Sequence, residues 1–335
     1  MAIKQVFTIT STQLQLKKIN VGIIGAAGYT GSELIRILLH HPFVSISYVV
    51  SNTFAGKKVT QVFYELLGEC NLVFVTAPTS DVDIVFLCVA HGAAKTYLEK
   101  FPFSANTKII DLSSDHRTAA PDFVYGLPEW NKEHIVNASK IANPGCFATA
   151  IQLGILPLLK QRVLPNQMHI NAITGSTGAG KSLSEQTHFS KRTANASVYQ
   201  VLTHPHLIEI NATIASSMQA MLPNIFFVPQ RGAFARGIMA CISMEINTTL
   251  NIEECYNSFY EQHPFTFYIP EPIDLKTVVN TNRCFINLYQ KDKQLVVVSY
   301  IDNLIKGASG QAVQNMNLMS GYPEHLGLQL KASTY

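Results

Sequence analysis

The sequence predicts an α/β protein: a doubly wound parallel sheet in its N-terminal part, followed by a second, α+β domain carrying a mostly antiparallel sheet. Three observations predict it. Short apolar runs alternate with helical stretches up to about residue 145, a glycine-rich turn follows the first of those runs, and after the helix that begins near residue 146 the pattern shifts to longer, alternating strands.

The elements follow in order. Residues 1–18 are polar, rich in Thr and Gln and without a signal-peptide core, so they read as an extension outside the fold. Residues 19–24 form a short buried strand that runs into Gly25-Ala26-Ala27-Gly28-Tyr29-Thr30-Gly31 and then an amphipathic helix. A strand, a tight glycine turn and a helix start are the parts of a Rossmann-type dinucleotide site, where the turn lets the pyrophosphate approach and the helix N-terminus faces its charge. The spacing is GxxGxxG. Gly25, Ala27, Gly28, Tyr29, Thr30 and Gly31 are therefore the expected cofactor contacts.

The next strand, residues 44–50, ends at Ser51-Asn52-Thr53, with Lys57 and Lys58 close behind. No carboxylate stands there to take both ribose hydroxyls. Hydroxyls and lysines suit a 2′-phosphate, so NADP is expected over NAD, with Ser51 and Lys57 as contacts. Parallel-sheet units continue as strands over 83–90 and 108–112 with a helix near 93–100 between them. Strands are then expected over 168–174, 221–229, 237–247, 277–287 and 294–301, and a final helix near 310–319 returns to the first domain. The organisation implied is an extension (1–18), an NADP-binding domain (19–145 and 306–335) and a catalytic and oligomerisation domain (146–305).

Composition excludes several classes. The chain has 335 residues, 47% hydrophobic and 14% charged, with a net charge of +3 too diffuse for nucleic acid. No apolar run reaches the ~18 residues needed to cross a bilayer, so a cytoplasmic enzyme is expected. Six cysteines, without CxxC or zinc spacing, suggest neither disulfides nor a metal.

Chemistry concentrates at Asn143-Pro144-Gly145-Cys146, which presents one cysteine on a turn at the mouth of an apolar helix. Unpaired amides and the helix dipole there favour a thiolate, below the free thiol value of about 8.5. About sixty residues on, His204-Pro205-His206-Leu207-Ile208-Glu209 offers an acid/base cluster. With a helix starting at Pro205 or His206, Glu209 lies one turn after His206 and is placed to orient its ring or hold it charged. Gly175-Ser176-Thr177-Gly178-Ala179-Gly180-Lys181-Ser182 satisfies the GxxxxGK[ST] spacing of a P-loop. It lies mid-chain after an alternating strand, and a loop cradling a phosphate-bearing substrate is the preferred reading over an ATP site.

Taken together these segments resemble the N-acetyl-gamma-glutamyl-phosphate reductases, NADP-dependent enzymes of arginine biosynthesis. The likeness runs from residue 19 onward and includes Asp111-Leu112-Ser113-Ser114-Asp115-His116-Arg117, Tyr125-Gly126-Leu127-Pro128-Glu129, Arg236-Gly237-Ile238 and residues 302–315. The family usually reads His-Arg-His where this chain has His204-Pro205-His206. The resemblance implies a semialdehyde dehydrogenase or glyceraldehyde-phosphate dehydrogenase-like fold and a small-molecule acyl phosphate as substrate. It also implies a thioester on Cys146, with His206 as general acid/base assisted by His204 and Glu209. Arg117, Asn143, Gly178, Lys181 and Arg236 become substrate contacts, Asn315 and Gln314 neighbours of the nicotinamide, and the chain a homo-oligomer, dimer or tetramer. Aspartate-semialdehyde dehydrogenase, a lysine-route homologue, a P-loop kinase and a silent NADP sensor remain alternatives.

Overall fold

The computed structural model describes residues 16–118, 120–218 and 222–334. Most of the polar N-terminal stretch and Met221 lie outside them. The first layer is built from β1 (Ile19–Ile24), α1 (Tyr29–Leu38), β2 (Val44–Val50), β3 (Phe74–Val75), β4 (Ile84–Leu87), α2 (Ala94–Lys100), β5 (Lys108–Asp111), β6 (Val124–Tyr125), α3 (Pro128–Val136) and β7 (Lys140–Ala142). The strands lie in the order β3-β2-β1-β4-β5-β7-β6, every neighbouring pair parallel. Strand order therefore reverses beside β1, which opens a crevice at the carboxyl ends of β1 and β4.

The second layer comprises α4 (Cys146–Lys160), β8 (Gln167–Thr174), α5 (Phe189–Arg192), β9 (Ser197–Val198), α6 (His206–Ser217), β10 (Asn224–Arg231), β11 (Ile238–Glu245), α7 (Ile252–Tyr260), β12 (Thr266–Tyr268), β13 (Cys284–Lys291) and β14 (Gln294–Ile301). Its sheet runs β12-β13-β14-β11-β8-β10-β9, antiparallel except for β12 with β13 and β8 with β10. A π-turn over Ile305–Ser309 leads into α8 (Gly310–Met319), whose Ala312, Val313 and Met316 return to the core beneath β1 and β5.

One boundary moves. The strand expected from 277 begins at Cys284, because Asp274 caps a 3₁₀ turn over Leu275–Thr277 by accepting the Lys276 N–H, and Asn280 then takes a φ of +66°. Extended pairing cannot start until the chain has left that turn.

Helix α4 fixes the site. Apart from Thr149 and Gln152, whose polar groups are hydrogen-bonded inside, it is apolar on every side and buried from Phe147 to Leu159, as a helix with no solvent-facing polar stripe must be. Each fully buried Leu or Ile side chain contributes about 1.5–3 kcal/mol, so the helix is pinned along its length and its first residue is held still. Pro157 removes the N–H that would have bonded the Leu153 carbonyl. The Tyr260 hydroxyl donates to that orphaned oxygen instead, and the Tyr256 hydroxyl donates to Gly154 O at 2.5 Å.

A buried ion pair joins the layers behind the site. Lys306 and Glu129 are both fully buried, 2.7 Å apart, with Thr266 donating to the same carboxylate oxygen at 2.8 Å. Burial alone would raise the Glu129 carboxyl; Lys306, His263 and Thr266 reverse that and hold it below its usual range. The pair anchors the π-turn, and a Cβ placed on neighbouring Gly307 would fall 2.8 Å from the Cys146 Cβ. Lys306→Met strands a buried carboxylate and is expected to lower stability in urea by about 3–5 kcal/mol. Adding Glu129→Leu should restore much of it. A Lys306→Met protein as stable as wild type would deny the pair its structural role.

Candidate active site

Cys146 is the first residue of α4 and sits where the two layers meet. No side chain caps the helix, so its opening amides are free to face the sulfur, and those of Cys146 and Phe147 donate toward it. Burial nevertheless wins: it pushes the thiol up to about 11, against the lowering pull of Arg117 and these amides. The expected resting thiolate is thus corrected to a protonated thiol, because the helix-terminus effect is local and weak while desolvation acts on the whole group. Iodoacetamide labelling of Cys146 should therefore accelerate about tenfold per pH unit from roughly pH 7 to 10. A plateau near neutrality would reveal a preformed ion pair.

His206 opens α6, at one of the two positions anticipated from the sequence. Its ring lies so close to the turn before Cys146 that a Cβ on Gly145 would stand 2.3 Å from His206 Nε2 and 2.7 Å from Arg117 Nη1. Only glycine fits there. Burial, then Arg117, His204 and His91, push the imidazole well below its ordinary value, so it rests neutral. Its Nδ1 is buried without a partner, and Nε2 is the nitrogen turned toward Gly145.

Glu209 departs from expectation. Its Oε1 is 3.9 Å from His206 Nε2, too long for a hydrogen bond. Instead it accepts from the Gly145 N–H at 2.9 Å, the Tyr125 hydroxyl at 2.8 Å and Arg117 Nη1 at 3.0 Å. Gln152 and Thr213 extend this buried network through Tyr125 and Gln152. Glu209 thus fixes the cysteine turn and does not hold His206 charged. His204 is likewise a positioning group: its Nδ1 accepts the His206 N–H at 3.2 Å, and Phe147, Phe227 and Tyr199 wall in its ring. Burial and Arg231 lower it to about 4.

The expected substrate cations are also engaged elsewhere. Arg117 donates to Asn143 O, Leu112 O and Glu209. Arg236 spans Glu33 of α1 at 2.8 Å and Asp302 at 3.2 Å, tying the two layers together. Asn143 bonds Ala308 O and receives Asn315 Nδ2, which also reaches Gly126 O; both asparagines are buried braces and do not line an open crevice. Gln314 accepts from Lys306 and Asn282, within the ion-pair network behind the site.

The residue 175–182 loop is no P-loop, since a 3₁₀ turn over Ser176–Ala179 ends at Gly180 with φ +78° and no helix begins at Lys181-Ser182, where a P-loop would start one. Gly178 lies inside that turn. Lys181 reaches the other layer, 3.5 Å from Ala27 O and over the Phe54 and Phe63 rings at 5.2 and 5.9 Å. It faces the nucleotide side and not the thiol. Lys57 flanks the same Phe54 ring at 5.7 Å, and Ser51, the residue after β2, accepts the Phe54 N–H at 3.4 Å.

A dinucleotide fits this crevice. Gly25 turns at φ +76°, where a Cβ would strike Cys88 O at 2.3 Å, and Gly28 opens α1 with no side-chain cap over its first amides. Among the described residues no group of His, Cys, Asp or Glu is arranged to hold a metal ion, and no helix is long and apolar enough to cross a membrane.

Comparison with known proteins agrees with this fold. Residues 20–138 match the semialdehyde dehydrogenase NAD binding domain and residues 146–303 the semialdehyde dehydrogenase dimerisation domain. A Parabacteroides distasonis protein named N-acetyl-gamma-glutamyl-phosphate reductase is 50% identical over 95% of this chain and all of its own length; a Christiangramia forsetii protein of the same name is 48% identical over the same shares. Aspartate semialdehyde dehydrogenase II from Vibrio cholerae superposes with a TM-score of 0.72 at 17% identity, covering 90% of this chain and 98% of its own. The Candida albicans aspartate semialdehyde dehydrogenase solved with NADP gives 0.68 at 16%, over the same shares.

Proposed function

The chain belongs to the semialdehyde dehydrogenase family, among the N-acetyl-gamma-glutamyl-phosphate reductases, and we propose that Cys146 and His206 carry its reaction. The activity is NADPH-dependent reduction of an N-acylglutamyl 5-phosphate to the 5-semialdehyde with release of phosphate, a step of amino-acid biosynthesis. The observation that carries the residue assignment is the His206 ring packed on Gly145, the residue before Cys146, with burial favouring the neutral form of both groups.

His206 Nε2 takes the thiol proton as Cys146 Sγ bonds to the substrate's acyl carbon. The opening amides of α4 steady the oxyanion that forms. The carbon–oxygen bond to phosphate then breaks, phosphate departs with that electron pair, and a thioester remains. NADPH, when bound, supplies hydride to the thioester carbon. His206, still protonated, faces the resulting alkoxide. As the carbon–sulfur bond breaks to give the aldehyde, the proton returns to Sγ. Glu209, Arg117 and Tyr125 keep the Gly145 amide and the sulfur in line throughout.

The amides of residues 27–31 would hold the cofactor's pyrophosphate, and Ser51 with Lys57 its 2′-phosphate. Lys181, standing over the same aromatic pair, joins them from the opposite layer. The dimerisation-domain match supports a homo-oligomer built on the second sheet, and membership among biosynthetic reductases supports a cytoplasmic enzyme.

Given NADP, phosphate and N-acetylglutamate semialdehyde, the protein should reduce NADP, followed by absorbance, only when phosphate is present. Turnover of aspartate semialdehyde in its place would overturn the assignment.

A further inference from the structure

The site as described leaves the substrate's charged end without a cation, because Arg117 and Arg236 are committed to protein acceptors. Two other arginines are paired with no carboxylate among the described residues and touch only hydroxyl-bearing side chains, Ser197 for Arg192 and Tyr199 for Arg231. Arg192, at the end of α5, is 7% exposed; its Nη2 donates to Ser197 Oγ at 3.1 Å, while Nε and Nη1 are buried with no acceptor. Arg231, at the end of β10, lays its guanidinium 4.5 Å over the Tyr199 ring, and its Nε is also buried with no acceptor. Neither has a carboxylate partner among the described residues.

Register brings the two together. Ser197 and Arg231 are direct partners across the antiparallel β9–β10 pair, so their side chains share a face with Cβ atoms about 5 Å apart. The Arg192 fork on the Ser197 hydroxyl is thus the neighbour of Arg231. Tyr199 links this pair to the thiol: its ring meets His204 edge-on at 5.7 Å, His204 meets His206 at 4.6 Å, and the phenol senses both Cys146 and Arg231. A buried guanidinium and a half-buried one, with three N–H nitrogens buried and unaccepted between them and no counter-ion, repel each other and lack solvation, so the arrangement calls for an anion from outside the protein.

The chemistry of that anion is a carboxylate. The substrate's phosphate must sit at the carbon that Cys146 attacks, whereas these arginines lie beyond His204 and Tyr199, at the far end of the substrate. Planar N–H forks match a carboxylate's two oxygens. We propose that Arg192 and Arg231 form a carboxylate subsite that reads the end of the acyl-amino acid distal to the reacting carbonyl. This rests on the reductase function above. The carboxylate belongs either to the glutamyl α-carbon or to a dicarboxylic acyl cap.

The test compares phosphate-dependent NADP reduction with N-acetyl- and N-succinylglutamate semialdehyde, for the wild type, Arg231→Gln, Arg192→Gln and the charge-keeping Arg192→Lys. Losing one fork should raise KM roughly 10- to 100-fold, with kcat nearly held. A rise confined to the succinyl substrate assigns the subsite to the cap; an equal rise for both assigns it to the α-carboxylate. Arg192→Lys should fall between glutamine and wild type, and thermal melts identify any variant that has not folded. KM unchanged for both substrates, or loss of kcat with KM held, would overturn the subsite while leaving the reductase standing. Turnover of neither substrate by the wild type would remove the reductase reading itself, and the subsite with it.

Discussion

Cys146→Ser should lower phosphate-dependent turnover by at least about 10⁴-fold while NADP still binds. Two effects combine. A neutral imidazole pushed well below its ordinary value can relieve a thiol near 11 of its proton only in concert with attack, and an alcohol is a far weaker acid still. The serine ester, if formed, would also resist reduction, since oxygen donates into a carbonyl more strongly than sulfur. Glu209, Arg117 and the Gly145 amide would be untouched, so cofactor affinity reports an intact fold. Activity within tenfold of wild type, by the same absorbance assay, would refute the covalent role.

His206→Asn should cost about 10²–10⁴-fold in kcat, the usual worth of a positioned acid/base. Asparagine is small enough to leave Gly145 undisturbed. The sign of the pH effect follows from the lowered imidazole: the group acts in its neutral form, so wild-type activity falls only as pH drops through a value well below 6.5. That acid limb should vanish in the variant. His204→Asn makes the contrast, because an asparagine oxygen can still accept the helix-opening N–H that His204 Nδ1 receives at 3.2 Å. It should lose far less. Equal losses in the two variants would mean that the histidines act only through packing.

Much of this was legible in the sequence because it is local. The strand, glycine turn and helix over residues 19–38, the cysteine at the start of an apolar helix and the histidine opening α6 are each set by neighbours within a few positions. What was not legible is long-range. Glu209 looked like a partner for His206 one turn away, yet Arg117 and Tyr125, from distant elements, draw it to the Gly145 amide. Arg236 carries no local sign that Glu33 and Asp302 will claim it. The cysteine's raised pKa is a property of the packed interior, while its helix position taken alone argues the reverse. Lys181 sits in a phosphate-loop pattern, but the chain's return after β8 delivers it to the cofactor side. Arg192 and Arg231 became visible only once β9 paired with β10.

The central claim is that the substrate's acyl group passes through the sulfur of Cys146. Its most direct test mixes the enzyme with acyl phosphate in the absence of NADPH, quenches in acid, and maps peptides by mass spectrometry. The account predicts one acyl group per chain, carried on the Cys146 peptide and discharged when NADPH is added before the quench. An unmodified Cys146 peptide while phosphate is nonetheless released, or an acyl group on another residue, would contradict it.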